Sequence, residues 1–244
     1  MLRIALSCQN RYRRIVGGAM GSGILIVGAS GLVGQGVLKT VLQDASIDRI
    51  VLLVRRPIRI ADGRVALLQA DVFSDDHLRR LDLGGLDACF YCAGPLPLGL
   101  SEAAYREVTV QMTVRVAAAY AAAKPKGRFL YVSGMGADVN SRLMPFRIKG
   151  EAEQALRELG VPVCCLRPGG ARPVQGEISP YPLRRWVYRL GDPILALFCR
   201  LAPKQFTTTR AIGRAMLQAA RMTPMPTVVD NMTINAAAVD RLNP

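Results

Sequence analysis

The sequence predicts an α/β fold, a doubly wound parallel sheet with a small C-terminal helical cap. Short runs of β-branched and aliphatic residues recur from residue 23 to residue 167. Most are apolar throughout rather than alternating, as strands buried on both faces are. Helical patterns lie between several of them, and strand–helix alternation supplies the crossovers that parallel pairing requires.

The elements follow in order. Gly23 and Gly28 enclose ILIV, the first strand, and residues 32–43 read as the helix after it. Arg49 to Arg55 encloses IVLLV, and Val65–Ala70, Leu86–Cys92, Arg128–Ser133 and Val161–Arg167 continue the strands. A long helix starts at Ser101, a suitable N-cap, and runs through an alanine-rich stretch to Ala123. Another covers 147–159, stopped by Gly160 and Pro162. Residues 183–202 and 208–221 read as helical, with breaks at Gly191, Pro193 and Pro203, and Thr227–Asn235 reads as a last strand. The expected organisation is one domain over 22–244, with 181–221 capping the substrate side.

Composition narrows the function. The chain has 244 residues, of which half are apolar and 20% charged, so it can bury a full core and is not a disordered segment. Its net charge of +14 is uneven. Residues 1–20 carry +4 and residues 181–221 carry +7, while the long body between them is nearly balanced. That body lacks a basic stripe with interleaved aromatics, so nucleic acid is not an expected partner. Residues 1–21 read as a disordered extension, although Arg3, Arg11, Arg13 and Arg14 without an acid also have the flavour of a transit peptide. Ile15–Leu38 is free of charge but holds eight glycines, which marks a loop and a buried strand rather than a membrane span. A cytoplasmic protein is expected.

The strongest motif is GASGLVG, with Gly28, Gly31 and Gly34 between the first strand and the first helix. Gly28 permits a tight turn, Gly31 lets backbone amides approach a pyrophosphate, and Gly34 lets the helix pack closely on the sheet. The helix N-terminus adds free N–H groups and partial positive charge. Ser30, Leu32 and Val33 belong to the same expected cofactor site. The second strand ends on Arg55 and Arg56 instead of the acid that would bond a ribose 2′-hydroxyl. Two guanidiniums there favour a 2′-phosphate, hence NADP(H) over NAD(H).

The glycine loop, Asp71–Val72 and the Cys92–Ala93–Gly94 run resemble the short-chain dehydrogenase/reductase superfamily, in its extended and atypical branches. Gly136–Ala137–Asp138, Lys149–Gly150–Glu151 and Leu166–Arg167–Pro168–Gly169 are similar to the group around the Tat-interacting-protein oxidoreductases, often labelled NAD-dependent epimerase/dehydratase-like. The resemblance implies a Rossmann fold and an oxidoreductase of small apolar carbonyl or hydroxyl compounds. It implies that Asp71 and Val72 flank the adenine, and that Cys92, Ala93 and Gly94 line the pocket beside the nicotinamide ribose. Lys149 would bond that ribose, and Pro168 and Gly169 would border the nicotinamide.

The catalytic pattern departs from the family. The superfamily carries a Tyr four residues before the Lys, and here that position is Pro145. Ser133 ends the fifth strand at a suitable place, and the next position is Gly134. Ser133 and Lys149 are therefore the catalytic candidates. Tyr181 and Tyr188 could supply the proton, and Tyr131 is expected to point into the core. The alternative is a protein that binds NADP(H) without turnover, as a regulator or scaffold.

Other candidates carry less. Cys89 and Cys92 have thioredoxin spacing but lie along a strand, where core packing is expected. His77 is the only histidine, so neither a metal site nor a Ser-His-Asp triad is expected. The segment 183–205 interleaves basic residues with Trp186, Tyr188 and an apolar run. That suits peripheral contact with an anionic membrane or an acidic protein. The favoured expectation is a substrate lid whose apolar face packs on the sheet while its arginines are solvated.

Overall fold

The computed structural model describes residues 22–72, 74–178 and 182–239. The expected extension over 1–21 lies outside them.

In the first half β1 (Ser22–Val27), α1 (Leu32–Leu42), β2 (Ile47–Val54), β3 (Val65–Gln69), α2 (Asp75–Arg79) and β4 (Ala88–Tyr91) follow one another. Next come α3 (Glu102–Arg106), a π-helical turn over Glu107–Gln111, α4 (Met112–Ala123), β5 (Arg128–Val132), α5 (Met144–Arg157) and β6 (Val163–Arg167). The rest is β7 (Gly170–Arg172), α6 (Pro182–Leu201), β8 (Phe206–Thr208), α7 (Thr209–Arg221), β9 (Val228–Asp230) and α8 (Asn231–Val239). Seven strands form a parallel sheet in the order β3-β2-β1-β4-β5-β6-β9, and β7 pairs with β8 in a separate ribbon. This is the doubly wound Rossmann arrangement that the sequence predicts.

The sheet is apolar on both faces because both faces are covered. Ile24, Ile26, Ile50, Leu52, Phe90, Leu130 and Leu166 share one core with Val37 and Val41 of α1, Ile212 and Met216 of α7 and Ile234 of α8. The alternate residues Leu25, Val27, Val51, Leu53, Tyr91, Phe129 and Tyr131 share the other with Val116 and Tyr120 of α4 and Leu156 of α5. Truncating one such aliphatic residue to Ala costs about 2–5 kcal/mol, a large part of a typical domain's net stability.

Three elements depart from the sequence reading. The helix at 209–221 does not cap the substrate side but lies in the helical layer against α1. Small residues allow the approach: a Cβ on Gly36 would meet Thr209 at 2.4 Å, and one on Gly213 would meet Thr40 at 2.7 Å. The strand expected over 227–235 stops at Asp230, and a helix begins. Asp230 Oδ1 accepts the Thr233 N–H at 2.8 Å, an Asx-type cap that starts the helix despite the β-branched residues around it. The long helix begins as expected, with Ser101 Oγ accepting the Ala104 N–H, but is interrupted by the π turn, where Thr113 Oγ1 donates to the Thr109 carbonyl.

Among the described residues no helix is long and apolar enough to cross a membrane.

Candidate functional site

Strand register gathers the site at one edge of the sheet. Val27 pairs with Tyr91, Tyr91 with Tyr131, and Val132 with Leu166. Gly28, Cys92, Ser133 and Pro168 therefore emerge together at the carboxyl ends of β1, β4, β5 and β6. The chain passes from β1 outward to β2 and β3 and returns to β4 on the other side, so this edge holds the topological switch point where such sheets bind ligands.

The glycine loop is built as its spacing demands. Gly28 has φ +85°, and a Cβ on it would lie 2.5 Å from the Ala93 nitrogen. A Cβ on Gly34 would lie 2.0 Å from the Gly28 carbonyl oxygen, so neither position accepts a side chain. Gly31 caps α1 in an extended conformation and donates its N–H to the Gly28 carbonyl at 3.0 Å. Ser30 is exposed, and Leu32 and Val33 open the helix, whose first turn contains no acid. The first amides of a helix have no partner within it, so this end suits an anion.

Neighbouring strands complete the edge. Val27 pairs with Leu53, which puts Arg55 and Arg56, both exposed, just past β2 beside the loop. Gln69 donates to the Arg55 carbonyl at 3.3 Å. At the end of β3 Val72 is buried, whereas Asp71 is exposed and gives its backbone N–H to His77 Nδ1 at 3.3 Å. Cys92 donates its N–H to the Val27 carbonyl at 2.8 Å, and Gly94 is exposed beyond it.

The catalytic candidates meet across β5 and α5. Lys149 donates its ammonium to the Ser133 carbonyl. A Cβ on Gly134 would lie 3.1 Å from Lys149 Nζ, so the glycine leaves the lysine room. Burial pulls the Lys149 pKa down to about 8, against the opposing pull of Glu153 one helical turn on. Glu153 is itself buried and holds Arg167 through both oxygens, at 2.9 and 2.6 Å, and Arg157 at 3.0 Å. The Ser133 hydroxyl is buried with no hydrogen-bond partner among the described groups. A polar atom in that position is costly unless something binds it. Pro145 occupies the first turn of α5, where no N–H is missed.

Pro168 and Gly169 lie beyond β6. Pro168 is buried, and its carbonyl accepts the Met135 N–H at 2.8 Å. A Cβ on Gly169 would lie 1.9 Å from the Gln205 carbonyl oxygen. The Gly169 N–H donates to Asn231 Oδ1 at 2.7 Å. Asn231 in turn donates to the Pro203 and Phe206 carbonyls, at 2.7 and 3.1 Å. Asn235 reaches the same two carbonyls at 2.8 and 2.9 Å. Sequence reasoning missed this staple because it read 227–235 as a strand. The signal was an Asn pair at i, i+4 after a capping Asp. It also missed Gln35, which exchanges two hydrogen bonds with the Ile178 backbone at 2.8 and 2.9 Å and donates to the Ser30 carbonyl at 3.0 Å. Gln35 thereby ties the glycine loop to the chain entering α6.

The remaining candidates fall away. Tyr131 lies in the core, and burial raises its pKa, so it is no proton donor here. Burial likewise raises the Cys89 and Cys92 thiols, and pushes Cys164 and Cys165 up to about 12, so none is a reactive thiolate. Among the described residues no cluster of ligand side chains could hold a metal. Tyr181 and the side chain of Tyr188 lie outside the described residues.

A parallel sheet in this order, with a strained glycine turn at its switch point, defines a dinucleotide-binding Rossmann protein. The sequence profile of the NAD(P)H-binding family matches residues 28–178, and the chain belongs to that family. It is similar to the Leucinostatins biosynthesis cluster protein T of Purpureocillium lilacinum, 32% identical over 55% of this chain and 51% of that protein. It is also similar to the mitochondrial protein FMP52 of Eremothecium gossypii, 33% identical over 59% of this chain and 64% of that one. The chain thus spans about half to two-thirds of these curated relatives. Among solved structures it resembles a short-chain dehydrogenase from Burkholderia cenocepacia in complex with NADP, with a TM-score of 0.61, 19% identity and coverage of 92% of this chain and 96% of that one. It also resembles the ADP-L-glycero-D-manno-heptose-6-epimerase of Helicobacter pylori, with a TM-score of 0.64, 15% identity and coverage of 86% and 76%. Both likenesses are of fold.

Proposed function

We propose that this chain is an NADP(H)-dependent oxidoreductase of small apolar carbonyl or hydroxyl compounds. The observation that carries the cofactor reading is the end of β2, where Arg55 and Arg56 stand exposed beside the glycine loop in place of a carboxylate. The loop and the α1 N-terminus would hold the pyrophosphate, the two guanidiniums the 2′-phosphate, and Asp71 and Val72 the adenine. Cys92, Ala93, Gly94, Pro168 and Gly169 would line the nicotinamide end. When bound, the reduced nicotinamide supplies a hydride to the substrate carbonyl carbon.

The residues of β5 and α5 then deal with the proton. Hydride arrival leaves an alkoxide, which needs an acid, and the usual Tyr is replaced by Pro145. Lys149 takes that role in our reading. Its ammonium, anchored on the Ser133 carbonyl, gives a proton to the alkoxide and becomes an amine, and solvent reprotonates it. A pKa of about 8 is well matched to proton transfer near neutrality. The unpartnered Ser133 hydroxyl would donate to the same oxygen.

The test is NADPH oxidation with a panel of aldehydes, ketones and quinones. Lys149→Met should lower kcat by about 10²–10⁴-fold while the folded protein still binds NADPH. Turnover unchanged in Lys149→Met would sink the assignment of the proton. Pro145 at the motif position favours a second reading, a regulator or scaffold that binds NADP(H) without turnover. Tight NADPH binding with no oxidation on any probe would support it.

A further inference from the structure

Helix α6 presents an apolar stripe that stays largely exposed among the described residues, although its Phe198 stacks on Phe206 of β8 with ring centroids 5.2 Å apart. Ile194, Leu197, Phe198 and Leu201 are 58%, 52%, 44% and 72% exposed. Their spacing of three, four and seven residues places them on one side of the helix. The helix holds to the body by its other side. Leu195 and Cys199 are half-buried, Cys199 Sγ reaches the Thr207 carbonyl at 3.5 Å, and α6 packs on β7 and β8. A lid closing its apolar face onto the sheet would have buried the stripe.

The charge around the stripe is one-sided. Arg200 and Lys204 are exposed beside it. Arg184, Arg185 and Arg189 precede them along the same segment, and Asp192 is its only acid. The residues from 181 to 221 carry +7, while the long body before them is nearly neutral. A second copy seated on the stripe would bring two such segments of like sign together. An anionic bilayer surface satisfies both features at once, since its acyl boundary takes the apolar stripe and its headgroups take the cations.

We propose that this face of α6 docks the protein reversibly on membranes that carry anionic lipid. The idea is independent of the nicotinamide site and does not need turnover.

The experiment is sedimentation of the whole protein with vesicles of phosphatidylcholine alone and of phosphatidylcholine mixed with phosphatidylserine. Fluorescence of Trp186, the only tryptophan and a residue of α6, is followed in parallel. The protein should sediment with the mixed vesicles only, less so as salt rises, with a blue shift of the tryptophan. Arg200→Ala/Lys204→Ala should weaken partitioning about 25-fold, two charges at about fivefold each. Leu197→Ser/Leu201→Ser, at exposed positions, should abolish the blue shift while leaving the melting temperature in place. Failure to sediment with the mixed vesicles overturns the proposal. So does binding that neither double variant weakens. A dimer in light scattering that Leu197→Ser/Leu201→Ser dissociates would assign the stripe to a second copy. Binding of soluble polyglutamate without vesicle binding would assign it to an acidic protein. Either result also overturns the proposal.

Discussion

Replacing Asn231 with Ala tests the staple that shapes the far end of the candidate pocket. Asn231 is 4% exposed and makes three hydrogen bonds, to the Gly169 N–H and to the Pro203 and Phe206 carbonyls. The losses are unequal. The two carbonyls keep Asn235 as a donor, whereas the Gly169 N–H loses its acceptor. An orphaned part-buried donor costs about 1–3 kcal/mol, and each of the two shared bonds about half a kcal/mol, so the variant should lose about 2–4 kcal/mol. For a chain of this size that is a fall of about 4–16 °C in Tm by scanning calorimetry. Asn235→Ala should cost a similar amount, because Asn231 still serves both carbonyls but the buried Thr207 hydroxyl, which donates to Asn235 Oδ1 at 2.6 Å, loses its acceptor. The double variant should then lose more than the sum, by about 0.5–3 kcal/mol, because only then do the carbonyls lose both side-chain donors. Gly169 would border the nicotinamide, so the Kd for NADPH should rise about tenfold in Asn231→Ala. A Tm within about one degree of the parent, or strict additivity of the pair, would refute the reasoning.

Other expectations follow from the same contacts. Gly28→Ala drives a Cβ into the Ala93 backbone at φ +85°, and should remove NADPH binding while lowering Tm, read by calorimetry. Glu153→Gln leaves Arg157 and Arg167 without their carboxylate. Those partners are 50% and 32% exposed, so the cost is set at about 1–3 kcal/mol rather than the larger figure for a fully buried pair. The same change removes the charge that pulls the Lys149 pKa up, so the alkaline fall in turnover, centred near pH 8 in the parent, should move to lower pH. Because the Lys149 pKa is depressed on folding from 10.5 to about 8, the folded chain sheds that proton first, and its stability rises with pH across this window. Lys149→Met should therefore stabilise the protein more below pH 8 than above pH 10.5, by denaturant titration.

Much of the fold is legible in the sequence because local and global preferences agree there. The runs 24–27 of β1 and 50–54 of β2 are apolar throughout and flanked by Gly or Arg, as buried parallel strands are. The glycine loop is legible because Gly28 and Gly34 are required by backbone approach itself. The C-terminal part is not legible, because tertiary contacts decide it. α7 reads as part of a cap until the complementarity of Gly36 with Thr209 and Thr40 with Gly213 is seen. VVDNMTIN carries a strand composition, yet the Asp230 cap and the two asparagines turn most of it into a helix. The same reliance on distant partners hides Asn231 and Gln35 from sequence reasoning. Ser133 and Lys149 are found from the family pattern, but their contact is visible only in three dimensions.

The central claim is tested most directly by isothermal titration of NADPH and of NADH into the wild type and into Arg55→Ala/Arg56→Ala. The account predicts tight NADPH binding, weaker NADH binding, and loss of the difference in the double variant by about 10–100-fold in NADPH affinity, the worth of two charge-assisted contacts. Equal or better binding of NADH, or an NADPH affinity that the double variant leaves untouched, would contradict it.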